Sequence, residues 1–163
     1  MERFCIDASV FLGMNSNNEN IRVSCKNFFI KNLNAEIFMN FEQVGLCDDV
    51  IWSFPFELQT AYYPFMDLFH SIMPIKRLPY TTHTLSGISN DSSLPLIEKL
   101  NVVFAREHNA VIYSLKMVIL DQHDIKKTPV LQNERIFCKS LEIYYQESLQ
   151  LVIDMDSIFH YVR

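Results

Sequence analysis

The chain has 163 residues, enough for one domain with a substantial core. Hydrophobic residues make up 49% of it and charged residues 20%, a balance that excludes a disordered segment, and its 3 glycines form no phosphate-cradling glycine motif. The net charge of −5 argues against a broad nucleic-acid surface, which needs clustered Lys and Arg, but leaves room for a local basic groove. The first element is a strand over residues 3–7, where Phe4, Cys5 and Ile6 are apolar and Asp7 ends the run. A short helix follows over Val10 to Met14. Ser16 and Glu19 have the spacing of a capping box, and Ile21, Cys25, Phe28, Phe29 and Leu33 then recur at helical intervals, which predicts a helix over 17–33 with Ser16 as N-cap.

Glu36 to Asn40 reads as a second strand, and a helix from Phe41 runs up to Pro55. Residues 56–73 are aromatic-rich and helical, with Pro64 expected to kink or split the helix. Residues 75–80 (IKRLPY) predict a third strand, and the polar run after it a loop with room for one helical turn. An amphipathic helix spans 94–109, followed by the strand AVIYSL. The segment LKMVIL either extends that strand or starts another. DQHDIKKTP reads as a loop, LQNERIF as a helical turn, and residues 149–156 (LQLVIDMD) as a late strand. Strands alternating with helices imply an α/β sandwich on a mainly parallel sheet. No repeat or linker divides the chain, so residues 1–163 form a single domain.

The four cysteines (Cys5, Cys25, Cys47 and Cys138) lie in apolar surroundings and none forms a CxxC pair, so they read as reduced, buried thiols of a cytoplasmic protein rather than a zinc site. No apolar run approaches the roughly 18–20 residues of a membrane span, and no signal peptide is visible, so no membrane partner is expected. Lys116, Lys126, Lys127, Arg135 and Lys139 gather in the last third, either as a groove or as a solvated face.

Asp7 is the residue that asks most of the chain, because a carboxylate between two buried segments is costly unless paired. Ligands of parallel α/β sheets gather at the carboxyl ends of strands, where Asp7 lies, and Glu42 and Glu98 fall in helix first turns that lead from or to such ends. Together they suit a hard divalent cation, Mg²⁺ or Mn²⁺. Acids in first turns are also favoured by the helix dipole alone, and that reading stays open for Glu42 and Glu98. Asp49, seven residues after Glu42 and on the same helix face, is either a supporting acid or part of a polar face beside an aromatic core.

The run CIDASVFLGM resembles the opening strand and helix of PIN-domain (VapC-type) nucleases, in which an Asp is followed two positions later by Ser or Thr. EIFMNFEQVG is similar to that family's second strand and acidic helix start, RLPYTTHTL to the segment before the third acidic helix, and LPLIEKLNVVFAREHNAVIYS to its helix–Glu-His-Gly–strand pattern. Asn109 stands where Gly is usual. The resemblance covers residues 3–116, leaves 117–163 as a divergent C-terminal part, and points to an uncharacterised bacterial branch. It implies a three-layer α/β/α sandwich and a metal-dependent endoribonuclease acting on single-stranded or structured RNA. Asp7, Glu42 and Glu98 would be catalytic metal ligands, Ser9 would orient Asp7 or a metal-bound water, and Ser114 would match the Ser/Thr ending the fourth strand.

Two departures matter. Lys116 stands two beyond Ser114, where many of these domains carry a fourth acid, and Asp121 or Asp124 would have to supply that acid from the following loop. Glu98 replaces the commoner Asp. The alternative reading is therefore a catalytically degenerate module of the same fold that acts through a protein partner or as a homodimer. A phosphatase or nucleotide hydrolase on the same acids is a third reading, but no nucleotide pocket is recognisable.

Overall fold

A computed structural model describes residues 2–88, 93–121, 136 and 138–154. Strand β1 (Arg3–Ile6) leads into α1 (Ala8–Gly13) and α2 (Glu19–Lys31); β2 (Glu36–Asn40) leads into α3 (Phe41–Trp52) and α4 (Phe56–Ile72). Then come β3 (Lys76–Leu78), α5 (Thr82–Ser86), α6 (Leu96–Glu107), β4 (Val111–Tyr113), α7 (Met117–Leu120) and α8 (Lys139–Asp154). The four strands form one all-parallel sheet in the order β3-β2-β1-β4. Every strand therefore ends at the same edge.

Strand alternation divides the core in two. Phe4, Ile6, Ile37 and Met39 join one cluster with side chains of α1, α2, α3, α4 and α8, whereas Cys5, Phe38 and Ile112 pack with Val102, Phe104 and Ala105 of α6 and with Ile119. Helices thus bury both faces of the sheet, as an α/β sandwich requires. Aromatic rings dominate the larger cluster: Phe29 and Phe69 meet edge-on at 4.9 Å and Phe28 stacks on Tyr113 at 4.0 Å. Gly13 is fixed by packing, since a Cβ there would lie 2.6 Å from Cys25 Sγ and 3.0 Å from Leu115 Cδ1.

Several expected boundaries move. The N-cap of α2 is Asn18, whose side chain accepts from the backbone N–H of Asn20 and Ile21; Ser16 is buried and accepts from the Asn18 N–H, so no Ser16–Glu19 capping box forms. Pro64 sits inside an unbroken α4, on its exposed side, and does not split the helix. LKMVIL is no strand: β4 stops at Tyr113 and residues 117–120 turn into α7. The late strand is also a correction, because residues 149–154 are the last turns of α8. Leu141, Tyr145, Leu149 and Val152, all buried, recur at helical spacing and seat α8 against α4. The expected loop over 121–129 and helical turn over 131–137 fall almost wholly outside the described residues.

The end of α6 shows what Asn109 does. Its φ is 49°, a left-handed conformation that Asn tolerates better than most side chains. The Ala110 N–H bonds the Ala105 carbonyl and the Asn109 N–H bonds that of Arg106, a Schellman closure that turns the chain into β4.

Candidate functional site

The pairing register explains why Asp7 and Ser114 meet. Ile6 of β1 lies opposite Tyr113 of β4, so the next residue of each strand emerges side by side at the carboxyl edge. Asp7 is 1% exposed and Ser114 is fully buried. Asp7 Oδ1 accepts from the Ser9 backbone N–H at 3.0 Å, from the Val10 N–H at 3.4 Å and from the Ser9 hydroxyl. Asp7 Oδ2 accepts from the Ser114 hydroxyl. The carboxylate is thus the N-cap of α1 and also the hub joining β1 to β4. Burial pushes its pKa up, and the Ser114 and Ser9 hydroxyls, the charge of Lys116 and the Val10 N–H oppose that rise. Ser9 Oγ in turn accepts from the Leu115 N–H at 3.1 Å.

Lys116 enters beside this hub. Its backbone N–H donates to Ser114 Oγ at 3.0 Å, and its ammonium lies 2.8 Å from Glu98 Oε1. Glu98, in the first turn of α6, is itself largely buried. Glu42, in the first turn of α3, accepts from the Tyr80 hydroxyl at 2.6 Å. Burial pushes the Tyr80 phenol up, and the bond to Glu42 and the charges of Glu42 and Glu98 push it further, so Tyr80 stands in the field of both glutamates. Asp7, Glu98 and Glu42 accordingly lie along one edge; Ser114 and Lys116 link Asp7 to Glu98, while Glu42 is held by Tyr80.

Beneath them runs a buried amide network. Asn40, at the end of β2, donates from Nδ2 to Asn101 Oδ1 at 3.0 Å and accepts from the Gln43 N–H, while Gln43 Oε1 accepts from the Ala8 N–H at 2.9 Å. Asn101 stands one helical turn after Glu98, and its buried Nδ2 has no hydrogen-bond partner. Tyr80, Asn40 and Gln43 carry no spacing signal in the sequence. Only Asn101, three residues after Glu98 on the same helix, was within reach of a periodicity argument.

The remaining candidates lie apart from this edge contact set. Asp49 is exposed on α3, as is Asp121 after α7; Asp124 lies outside the described residues, as do Lys126, Lys127 and Arg135. Along the aromatic segment Tyr62 is core, whereas Asp48, Trp52, Tyr63 and Asp67 are exposed. Burial pushes the Cys5, Cys25 and Cys47 thiols up, so they stay protonated and unreactive.

The match to a divalent cation is therefore one of donor kind and of place only, not of grouping. The donors are hard carboxylate oxygens at the sheet edge where ligands of such folds bind. As the side chains stand, no three His, Cys, Asp or Glu among the described residues are grouped closely enough to hold an ion, and Lys116 and Tyr80 engage Glu98 and Glu42. Among the described residues, no helix is long and apolar enough to cross a membrane.

Residues 1–158 match a family described as a family of unknown function, DUF6190, and the chain belongs to it. No curated protein matches.

Proposed function

We propose that this chain is a divalent-metal-dependent endoribonuclease with a PIN-like three-layer architecture, acting at the carboxyl edge of its sheet in the cytoplasm. The observation that carries the reading is Asp7: a nearly unexposed carboxylate supplied with two serine hydroxyls, Ser9 from α1 and Ser114 from just beyond β4, with Glu98 and Glu42 along the same edge. An N-cap alone does not require burial or a second hydroxyl from beyond β4.

In this reading Asp7, Glu42 and Glu98 would hold Mg²⁺ or Mn²⁺, which when bound polarises a phosphodiester and lowers the pKa of water. Ser9 and Ser114 fix the Asp7 carboxylate, and their hydroxyl bonds oppose the rise that burial imposes on its pKa. Lys116 offers positive charge to a phosphate arriving at the edge. Tyr80 positions Glu42. The test is cleavage of labelled single-stranded RNA with Mn²⁺. Wild-type protein should cut, and Asp7→Asn, which keeps the shape but removes the charge, should not. Equal cleavage by both would assign the activity to a contaminant and overturn the reading.

The second reading, a degenerate module of this fold acting through a protein partner or a second copy, is favoured by one specific observation: the Lys116–Glu98 pair already neutralises part of the edge. It predicts neither cleavage nor Mn²⁺ binding.

A further inference from the structure

We infer that the outer ridge of α3 is a docking surface for a basic, amphipathic helix of another protein, with Phe41 and Trp52 as its anchors and Gly45 as the point of closest approach. The inference goes beyond the nuclease reading and does not depend on it.

Helical spacing assembles the ridge. Phe41, Gly45, Asp48 and Trp52 follow one another at intervals of four, three and four residues, so they share one face of α3, and all four are exposed. Phe41 is 55% exposed and Trp52 72%. The two anchors stand about 16 Å apart along the helix, three turns from end to end. Phe56, 77% exposed, opens α4 just past Trp52. Gln59 Nε2 donates to the Trp52 carbonyl at 3.4 Å, which holds the first turn of α4 against the end of the ridge. Large exposed rings gathered in one neighbourhood mark an interaction surface, where a scattered one would not.

Gly45 supplies an independent sign. A glycine inside an exposed helix costs about 1 kcal/mol against alanine. Among the described residues nothing asks for it: its φ is not positive, and a Cβ there would meet no atom within 4 Å. The notch it leaves therefore serves something outside the chain, and glycine is the residue that lets another backbone come close. It lies between the two aromatic anchors.

Charge selects the occupant. Asp48 lies between the anchors with Asp49 beside it, and among the described residues neither is in an ion pair. Nucleic-acid bases would stack on the rings, but the phosphates would meet these carboxylates, whereas phosphate binding needs clustered Lys and Arg. A second copy docked ridge to ridge about a twofold axis would set the acids against their own images, and each copy carries a net −5. A protein helix with an apolar stripe for Phe41 and Trp52, and Lys or Arg beside that stripe, satisfies both the rings and the acids.

Trp52 is the only tryptophan of the chain, so its emission reads this surface directly. The full chain is titrated with a synthetic leucine–lysine amphipathic peptide of about 16 residues, long enough to span the ridge as a helix. That peptide should shift the emission to the blue and saturate, and a leucine–glutamate peptide of the same pattern should not. Asp48→Lys with Asp49→Lys should invert the preference, binding the lysine peptide roughly tenfold or more weakly and gaining the glutamate peptide. Gly45→Gln, which fills the notch without adding charge, should weaken the lysine peptide several-fold and leave the fold at least as stable. An affinity unchanged in either variant overturns the inference. So does an emission that no peptide moves, one that moves with a single-stranded oligoribonucleotide instead, or one that moves with the protein's own concentration alone. If the double lysine variant fails to fold, Gly45→Gln and Phe41→Ser decide by the same titration, and an affinity equal to wild type in both overturns it.

Discussion

The Ser114 hydroxyl donates to Asp7 Oδ2 across the junction of β4 and β1, while Asp7 Oδ1 caps α1. One carboxylate therefore closes a helix and clamps two strands. Asp7→Ala should cost about 2–3 kcal/mol, from the lost cap and the orphaned hydroxyls. Asp7→Asn keeps Oδ1 as the acceptor of the cap and sets an Nδ2 donor against Ser114, whose hydroxyl must turn to accept it, and removes a buried charge, so it should unfold within about 1 kcal/mol of wild type. Urea denaturation monitored by far-UV circular dichroism separates the two.

Lys116 and Glu98 make a partly buried pair, so neither substitution is neutral. Glu98→Gln and Lys116→Met should each cost about 1 kcal/mol, the double variant clearly less than their sum. Additive losses in the double-mutant cycle would mean that the two side chains do not couple.

Gly13 offers a check on the packing of α1 against α2. Gly13→Ala puts a methyl group against Cys25 Sγ and Leu115 and should destabilise by about 1–3 kcal/mol despite the higher helix propensity of Ala. A stabilised variant would show that the contact relaxes freely.

His70 stacks on Phe11 at 6.0 Å between ring centroids, and burial, with Arg77 adding to it and Asp67 opposing it, holds its pKa below the ordinary value. A histidine depressed in the folded state takes up its proton more readily when unfolded. Its contribution to stability is thus complete above the unfolded pKa of about 6.5 and is lost as pH falls through and below it. The melting temperature should drop between pH 7.5 and 5.5, and the drop should shrink in His70→Phe. An unchanged drop in the variant would assign the pH dependence elsewhere.

What was legible in the sequence follows from where periodicity and chemistry agree. Phe4 to Ile6 ending on Asp7, and the helices opening at Phe41 and Leu96, combine a repeat pattern with a boundary, and all three stand near where the sequence put them. The C-terminal helix was misread because LVID has the composition of a strand, whereas the burial of Leu141, Tyr145, Leu149 and Val152 obeys a period that only a longer window reveals. Tyr80 was invisible as a partner of Glu42, since 38 residues separate them and only the β2–β3 pairing brings them together. Asn40 and Asn101 meet for the same reason, through the packing of α6 on the sheet.

The central claim, a divalent-metal site built on Asp7, is met most directly by a melting scan of wild type and Asp7→Asn with and without millimolar Mn²⁺. A ligand held only by the folded state at ~100 times its Kd stabilises by about 2.7 kcal/mol. For a domain of this size that raises the melting temperature by roughly 5–10 °C. The account predicts that rise in wild type and its loss in Asp7→Asn, with the two metal-free proteins melting close together. A wild-type curve that does not move with Mn²⁺, or one that moves equally in Asp7→Asn, would contradict it.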